Sequence, residues 1–163
     1  MKTLLLLRHA KSSRDDPALR DFDRPLNDRG KEDAKLMGRY VRRKKIFIDV
    51  IVSSPAKRAR RTSELFLKAA DAPTEPVFDE RIYEASAHQL LRVVSEIDSA
   101  HQTVLLVGHN PGFEDLLTSL TDRAARMPTA SLACIDLSVD KWQEIAPRSG
   151  ELRWLITPKD LKS

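Results

Sequence analysis

Short apolar runs that stop abruptly, separated by stretches of helical periodicity, constrain this chain more than any other feature. Residues 4–7, 46–52 and 104–107 are almost continuously apolar, as strands buried on both faces must be. Between them the spacing changes. Asn27 can cap a helix whose apolar positions, Ala34, Met37 and Val41 with Leu36 and Tyr40 one step round, recur to about residue 45. Gly30 and Gly38 are unfavourable inside it. Residues 49–53 read as a second strand, and Ser54-Pro55 as the start of a helix to about residue 70, a capping hydroxyl followed by proline at the first helical position. A short strand at 76–78 precedes the capping box Ser86-x-x-Gln89 and a helix to about residue 97. Residues 103–107 form a buried strand, the turn Asn110-Pro111-Gly112 launches a helix from Phe113, and strands follow near 131–137 and 151–157. This rhythm predicts a single-domain three-layer α/β/α sandwich around a mostly parallel sheet.

The same runs exclude a membrane span, because none approaches the roughly 20 apolar residues that cross a bilayer, and mean hydropathy is -0.40. No export signal precedes the first strand, so a cytoplasmic location is expected. Cys134 is the one cysteine of the chain. It can form neither an internal disulfide nor a multi-cysteine cage, and its apolar setting reads as packing. A formal charge of +4 favours anionic ligands without naming one. The basic clusters at 39–45 and 57–61 read first as solvated helix faces. Nucleic acid is not expected, since aromatics are 6% of the chain and do not interleave with these charges. No His-x-x-x-His or Cys-x-x-Cys spacing supports a metal, no Gly-x-x-x-x-Gly-Lys loop is present, and no cofactor is expected.

Ligands of open parallel sheets bind outside the carboxyl ends of the strands. Those ends carry Arg8-His9, Ser53-Ser54-Pro55 and Gly108-His109-Asn110-Pro111-Gly112. Arg58, four residues after Ser54, can lean over the same crevice, whereas Lys57, Arg60 and Arg61 point elsewhere. Two arginines, two histidines and two helix N-termini suit a compact dianion such as phosphate. A neutral imidazole in that field can accept a phosphoryl group on one ring nitrogen if an acceptor fixes the other.

The run Leu5-Leu6-Leu7-Arg8-His9-Ala10 resembles the Arg-His-Gly signature of the histidine phosphatase (phosphoglycerate mutase-like) superfamily, with alanine in place of glycine. Ser54-Pro55-x-x-Arg58-Ala59-x-x-Thr62 resembles its second motif and Gly108-His109 its third, in the family's order. Asp23-Arg24-Pro25-Leu26-Asn27-x-x-Gly30, the run at 82–86 and the ending Thr157-Pro158-Lys159-Asp160-Leu161 are similar to the SixA-type phosphohistidine phosphatase branch. The resemblance implies one histidine phosphatase domain over residues 1–163, with the phosphoglycerate mutase-like fold. It implies attack on phosphorus by His9, with Arg8, Arg58 and His109 neutralising phosphoryl oxygens and Arg24 as an additional pocket arginine. Glu84 matches the place of the acid that protonates the leaving group, and Asp79 and Glu80 compete for that part. Where the superfamily often carries asparagine, six residues beyond the nucleophile, this chain has Asp15.

The residues leave plainer alternatives. Arg24 can simply pair with Asp21 or Asp23 at the surface, and His88 and His101 read as helix and loop residues. The expected substrate is phosphohistidine on an acidic signalling protein, because a protonated imidazole leaves without an acid and alkoxide does not. A phosphatase of small monoesters and a non-catalytic phosphate-binding protein are the alternatives. The oligomeric state is not legible.

Overall fold

The computed structural model describes residues 1–162. Leu4, Leu5, Leu6 and Leu7 are all fully buried, and their alternation divides the core in two. Leu4 and Leu6 pack with Val93, Phe113 and Leu117 on one face. Leu5 and Leu7 pack with Met37, Val41 and Phe66 on the other. Burying each such side chain is worth about 1.5–3 kcal/mol, so a strand apolar on both sides demands helices on both sides.

In chain order the elements are β1 (Lys2–Arg8), α1 (Asp28–Arg43), β2 (Val50–Ser53), α2 (Lys57–Ala70), β3 (Val77–Phe78), α3 (Ala87–Ser95), β4 (Thr103–Gly108), α4 (Gly112–Thr121), β5 (Leu132–Leu137), β6 (Gly150–Ile156) and α5 (Pro158–Leu161), with 3-10 turns at Asp21–Asp23, Glu80–Ile82 and Trp142–Glu144. The sheet order is β3-β2-β4-β1-β5-β6. β3, β2, β4 and β1 pair in parallel, while β5 runs antiparallel to β1 and to β6. The expected mostly parallel α/β/α sandwich is therefore present, with β5 as its reversed strand. That reversal matters for the site. It starts β5 at the carboxyl end of β1, where Ala130 N–H bonds the carbonyls of Arg8 (3.1 Å) and His9 (3.0 Å).

The capping signals at Asn27 and Ser86 form as read, the latter as a full capping box with Gln89. The glycines of α1 have a positive use. A Cβ on Gly38 would lie 2.3 Å from the Phe66 carbonyl oxygen, so α1 and α2 cross in direct backbone contact. A Cβ on Gly30 would lie 2.1 Å from the Lys11 carbonyl oxygen, so the first turn of α1 presses against the chain leaving β1.

The start of α2 differs from the expectation. The helix begins at Lys57 with Ala56 at its N-cap and no side-chain cap. Ser54 N–H still bonds the Val107 carbonyl (2.9 Å), extending the pairing with β4 past Ser53 and delaying the turn into helix. Ser54 Oγ accepts Ala56 N–H (3.2 Å). Trp142 is fully buried, donating Nε1–H to the His101 carbonyl (2.8 Å), and Trp154 stacks edge-on to Tyr40. Cys134 is buried and its thiol is pushed up to about 11 by burial, as befits a packed residue. His88 is exposed and His101 half-buried, both away from the crevice. No helix among the described residues is long and apolar enough to cross a membrane.

Candidate active site

β1 and β4 are neighbours in register, Arg8 lying opposite Gly108. His9 and His109 therefore emerge side by side, with His9 N–H bonded to the Gly108 carbonyl (2.9 Å) and the ring centroids 5.1 Å apart. Nδ1 of His9 lies 2.8 Å from the carbonyl oxygen of Ala10. A carbonyl only accepts, so Nδ1 carries the proton and the lone pair is on Nε2. Burial pushes this imidazole down to about 3; the Ala10 carbonyl opposes the shift, and the charges of His109, Arg58 and Arg8 add to it. The backbone that supplies the acceptor is pinned in turn: Ala10 N–H donates to Thr62 Oγ1 (3.0 Å), and that hydroxyl donates to the Arg58 carbonyl (2.7 Å).

His109 Nε2 lies 2.8 Å from Ser54 Oγ. That oxygen also accepts Ala56 N–H, so Ser54 ties the His109 ring to the start of α2. Burial, then the Arg58 charge, pushes His109 down to about 4. Arg8 donates Nη1–H to the Met127 carbonyl (2.9 Å) on the segment entering β5.

Arg58 reaches the crevice from the first turn of α2. It donates to the Asp21 carbonyl (2.6 Å) and to Asp21 Oδ2 (3.0 Å). Arg24 Nε–H donates to Asp21 Oδ1 (3.2 Å), and the Tyr83 hydroxyl donates to Asp21 Oδ2 (2.6 Å). The Tyr83 bond, with Arg58 and Arg24, holds the Asp21 carboxyl down at about 2. Tyr83 is pushed up to about 12 by burial and by Asp21.

Arg8, His9, Arg24, Arg58 and His109 thus line one cleft of about 540 Å³, whose outer wall is the loop of residues 11–15 with Asn27 and Thr129. Among the described residues, Arg8 Nε, Arg24 Nη1, Arg58 Nε and His109 Nδ1 are buried nitrogens without a hydrogen-bond partner. The guanidiniums of Arg8, Arg24 and Arg58 and the two imidazoles of the lining are the kind of donor set that binds an oxyanion. A larger hollow of about 690 Å³, lined by Tyr40, Lys44, Phe47 and Trp154, holds no histidine and none of these donors.

The structure does not bring Glu84 to this lining. Its side chain is exposed on a residue at φ 55°, next in sequence to Tyr83. Asp79 is paired with Arg81 (2.7 Å), and Glu80 is exposed. The carboxylates on the lining are Asp15 and Asp21. Sequence reasoning placed Asp21 only as a surface partner of Arg24. Its spacing of three from Arg24 was the available signal, but contact with Arg58 and Tyr83 depends on the 3-10 turn at Asp21–Asp23.

Both imidazoles have folded pKa values below the ordinary 6.5 of the unfolded chain, so acid loads protons preferentially onto the unfolded state. Stability is expected to be retained above pH 6.5 and to fall as pH drops toward 4, by up to about 1.4 kcal/mol per pH unit for each ring. Urea unfolding at pH 7, 6, 5 and 4 measures this; a midpoint that stays level over that range contradicts it.

A cleft of this make suits a phosphate group, and relatives narrow the class. Residues 4–91 match the histidine phosphatase superfamily (branch 1). An uncharacterized protein of Mycobacterium leprae is 32% identical over 166 residues, covering 94% of this chain and all of that one. A structure from Agrobacterium tumefaciens, provisionally named phosphohistidine phosphatase SixA, superposes with a TM-score of 0.83 at 28% identity, covering 96% of this chain and 98% of the other. The protein histidine phosphatase SixA complexed with tungstate shares the fold, with a TM-score of 0.86 at 21% identity over 98% of this chain and 99% of that one. The chain belongs to the histidine phosphatase superfamily. Its fold is phosphoglycerate mutase-like, and its activity is that of a phosphatase, a hydrolase of phosphate bonds.

Proposed function

We propose that this protein removes phosphate from phosphohistidine on a partner protein, by way of a phosphohistidine formed on its own His9. The observation that carries the reading is the hydrogen bond from His9 Nδ1 to the Ala10 carbonyl. It leaves Nε2 as an unprotonated nucleophile in a cleft lined by three buried or half-buried guanidiniums and a second imidazole.

Chemically, the lone pair of His9 Nε2 forms a bond to phosphorus as the bond to the leaving nitrogen breaks. Charge on the three phosphoryl oxygens meets Arg8, Arg58, Arg24 and His109, groups fixed before the reaction and therefore costing little reorganisation. The substrate imidazole departs neutral, keeping the proton on its other nitrogen. Water then cleaves the P–N bond on His9, releasing inorganic phosphate and restoring the free imidazole.

The leaving group favours phosphohistidine over an alkyl ester. Asp21 on the lining is held ionised and Glu84 is not on it, which favours a leaving group that needs no acid. An alkoxide needs one, whereas a protonated imidazole does not. Lys11, Arg14, Lys57 and Arg60 are exposed, which suits an acidic partner surface. No cofactor or metal enters this scheme.

Turnover of a radiolabelled phosphohistidine protein, quenched in alkali, tests it. Acid-labile, base-stable label is expected on His9, and alkyl phosphates are expected to turn over far more slowly. Label on another residue, or none on the enzyme during rapid turnover, rejects the mechanism; alkyl phosphates cleaved equally well reject the substrate.

A further inference from the structure

We propose that Asp15 selects substrates whose phosphate is carried on nitrogen, by holding the positive charge of the leaving imidazole; this deepens the phosphohistidine reading and rests on it. The cleft is divided by burial. The donor side chains Arg24 and Arg58 and the two imidazoles of its lining are buried, while Lys11, Arg14 and Asp15 are exposed on the loop of residues 11–15. A phosphoryl group facing those donors must project whatever carries it past that loop. The loop is held in place: Ser12 bridges Leu26, Ser13 N–H bonds the Pro25 carbonyl (2.8 Å), and Asp15 N–H bonds Ser13 Oγ (3.1 Å).

Of the two carboxylates on the lining, Asp21 is spent on Arg58, Arg24 and Tyr83. Asp15 forms no ion pair among the described residues. A free carboxylate in a phosphate cleft repels the substrate, and for a monoester it also opposes the negative charge that grows on the leaving oxygen. For a phosphohistidine the sign reverses. The ring is cationic when its second nitrogen is protonated; as P–N breaks, the electron pair returns to the leaving nitrogen and the ring departs neutral with that proton still attached. Asp15 accepts the N–H hydrogen bond, keeps the ring protonated above its ordinary pKa, and so maintains the good leaving group.

Asp15→Asn separates the two effects at pH 8. Loss of the charge-assisted bond is expected to lower kcat/KM for a phosphohistidine peptide about tenfold. Loss of the repulsion is expected to raise kcat/KM for p-nitrophenyl phosphate, and the affinity for inorganic phosphate, about threefold each. Damage to the loop alone would weaken phosphate binding and depress both substrates together. A substrate ratio unchanged by the substitution, or a parallel fall in both, overturns the role of Asp15 while labelled His9 in the wild type keeps the parent reading. A wild type that leaves phosphohistidine intact and takes no label overturns the parent reading itself.

Discussion

His9→Ala is expected to lower kcat for phosphate release by roughly ten-thousandfold or more, the scale on which removing a nucleophile acts. The effect should be chemical and leave binding largely in place. Arg8 remains tied to Met127, Arg58 to Asp21 and His109 to Ser54 in bonds that do not involve the His9 ring. Inorganic phosphate should therefore bind the variant about as well as the wild type, within roughly threefold, by calorimetry. Melting at pH 7 should stay cooperative. A variant that keeps more than a few per cent of the wild-type rate would remove His9 from the role of phosphoryl carrier, and a variant that turns nothing over and also fails to bind phosphate would show that the ring organises the cleft instead.

Arg58→Ala should have the next largest consequence, a loss of about 100- to 1000-fold in kcat/KM, the magnitude of one preorganised oxyanion donor. Two effects combine. The guanidinium leaves the cleft, and Asp21 loses the partner that binds both its carbonyl and its carboxylate, exposing an anion to the incoming phosphate. Arg58→Lys should recover little, because an ammonium cannot serve Asp21 and an oxyanion with fixed parallel donors. The substitution also has a spectroscopic signature. The Arg58 charge lowers His9, His109 and Asp21, so all three pKa values should rise in the Ala variant. Histidine ring shifts that titrate as in the wild type, or a kcat/KM within tenfold, would contradict this placement.

Much of the architecture can be read from the chain because burial on both faces leaves a strong mark: four consecutive leucines in β1 and the apolar run of β4 admit no other setting. The capping signals of α1 and α3 are local, a side chain bonding a backbone group three residues on, and local chemistry survives into the fold. What escapes is non-local. Ser54-Pro55 has the composition of a helix start, but a single bond from Ser54 N–H to Val107 on another strand holds the chain extended. The reversal of β5 leaves no periodic trace, since an antiparallel strand buried on both faces looks like a parallel one.

The site divides in the same way. Arg8, His9, Arg58 and His109 stand at the ends of recognisable strands or in the first turn of a helix, so position alone brings them to one edge. Asp21, Tyr83 and Met127 arrive from loops, and their parts depend on contacts with distant residues at 2.6 to 2.9 Å. Glu84 lies in a turn at φ 55°, and its place relative to the cleft is likewise set by that turn and not by the run it belongs to.

The pairing of β1 with β4 carries a last implication. Neighbouring strands stand about 4.8 Å apart wherever a ladder forms, and the two rings that follow Arg8 and Gly108 sit 5.1 Å apart, close to that lattice spacing. The interval between the His9 and His109 rings is thus gauged by main-chain geometry. A slip in register would disturb it and would also turn the leucines of β1 inside out. Peripheral loops can accordingly be rebuilt to admit other phosphate carriers without recalibrating the reaction centre.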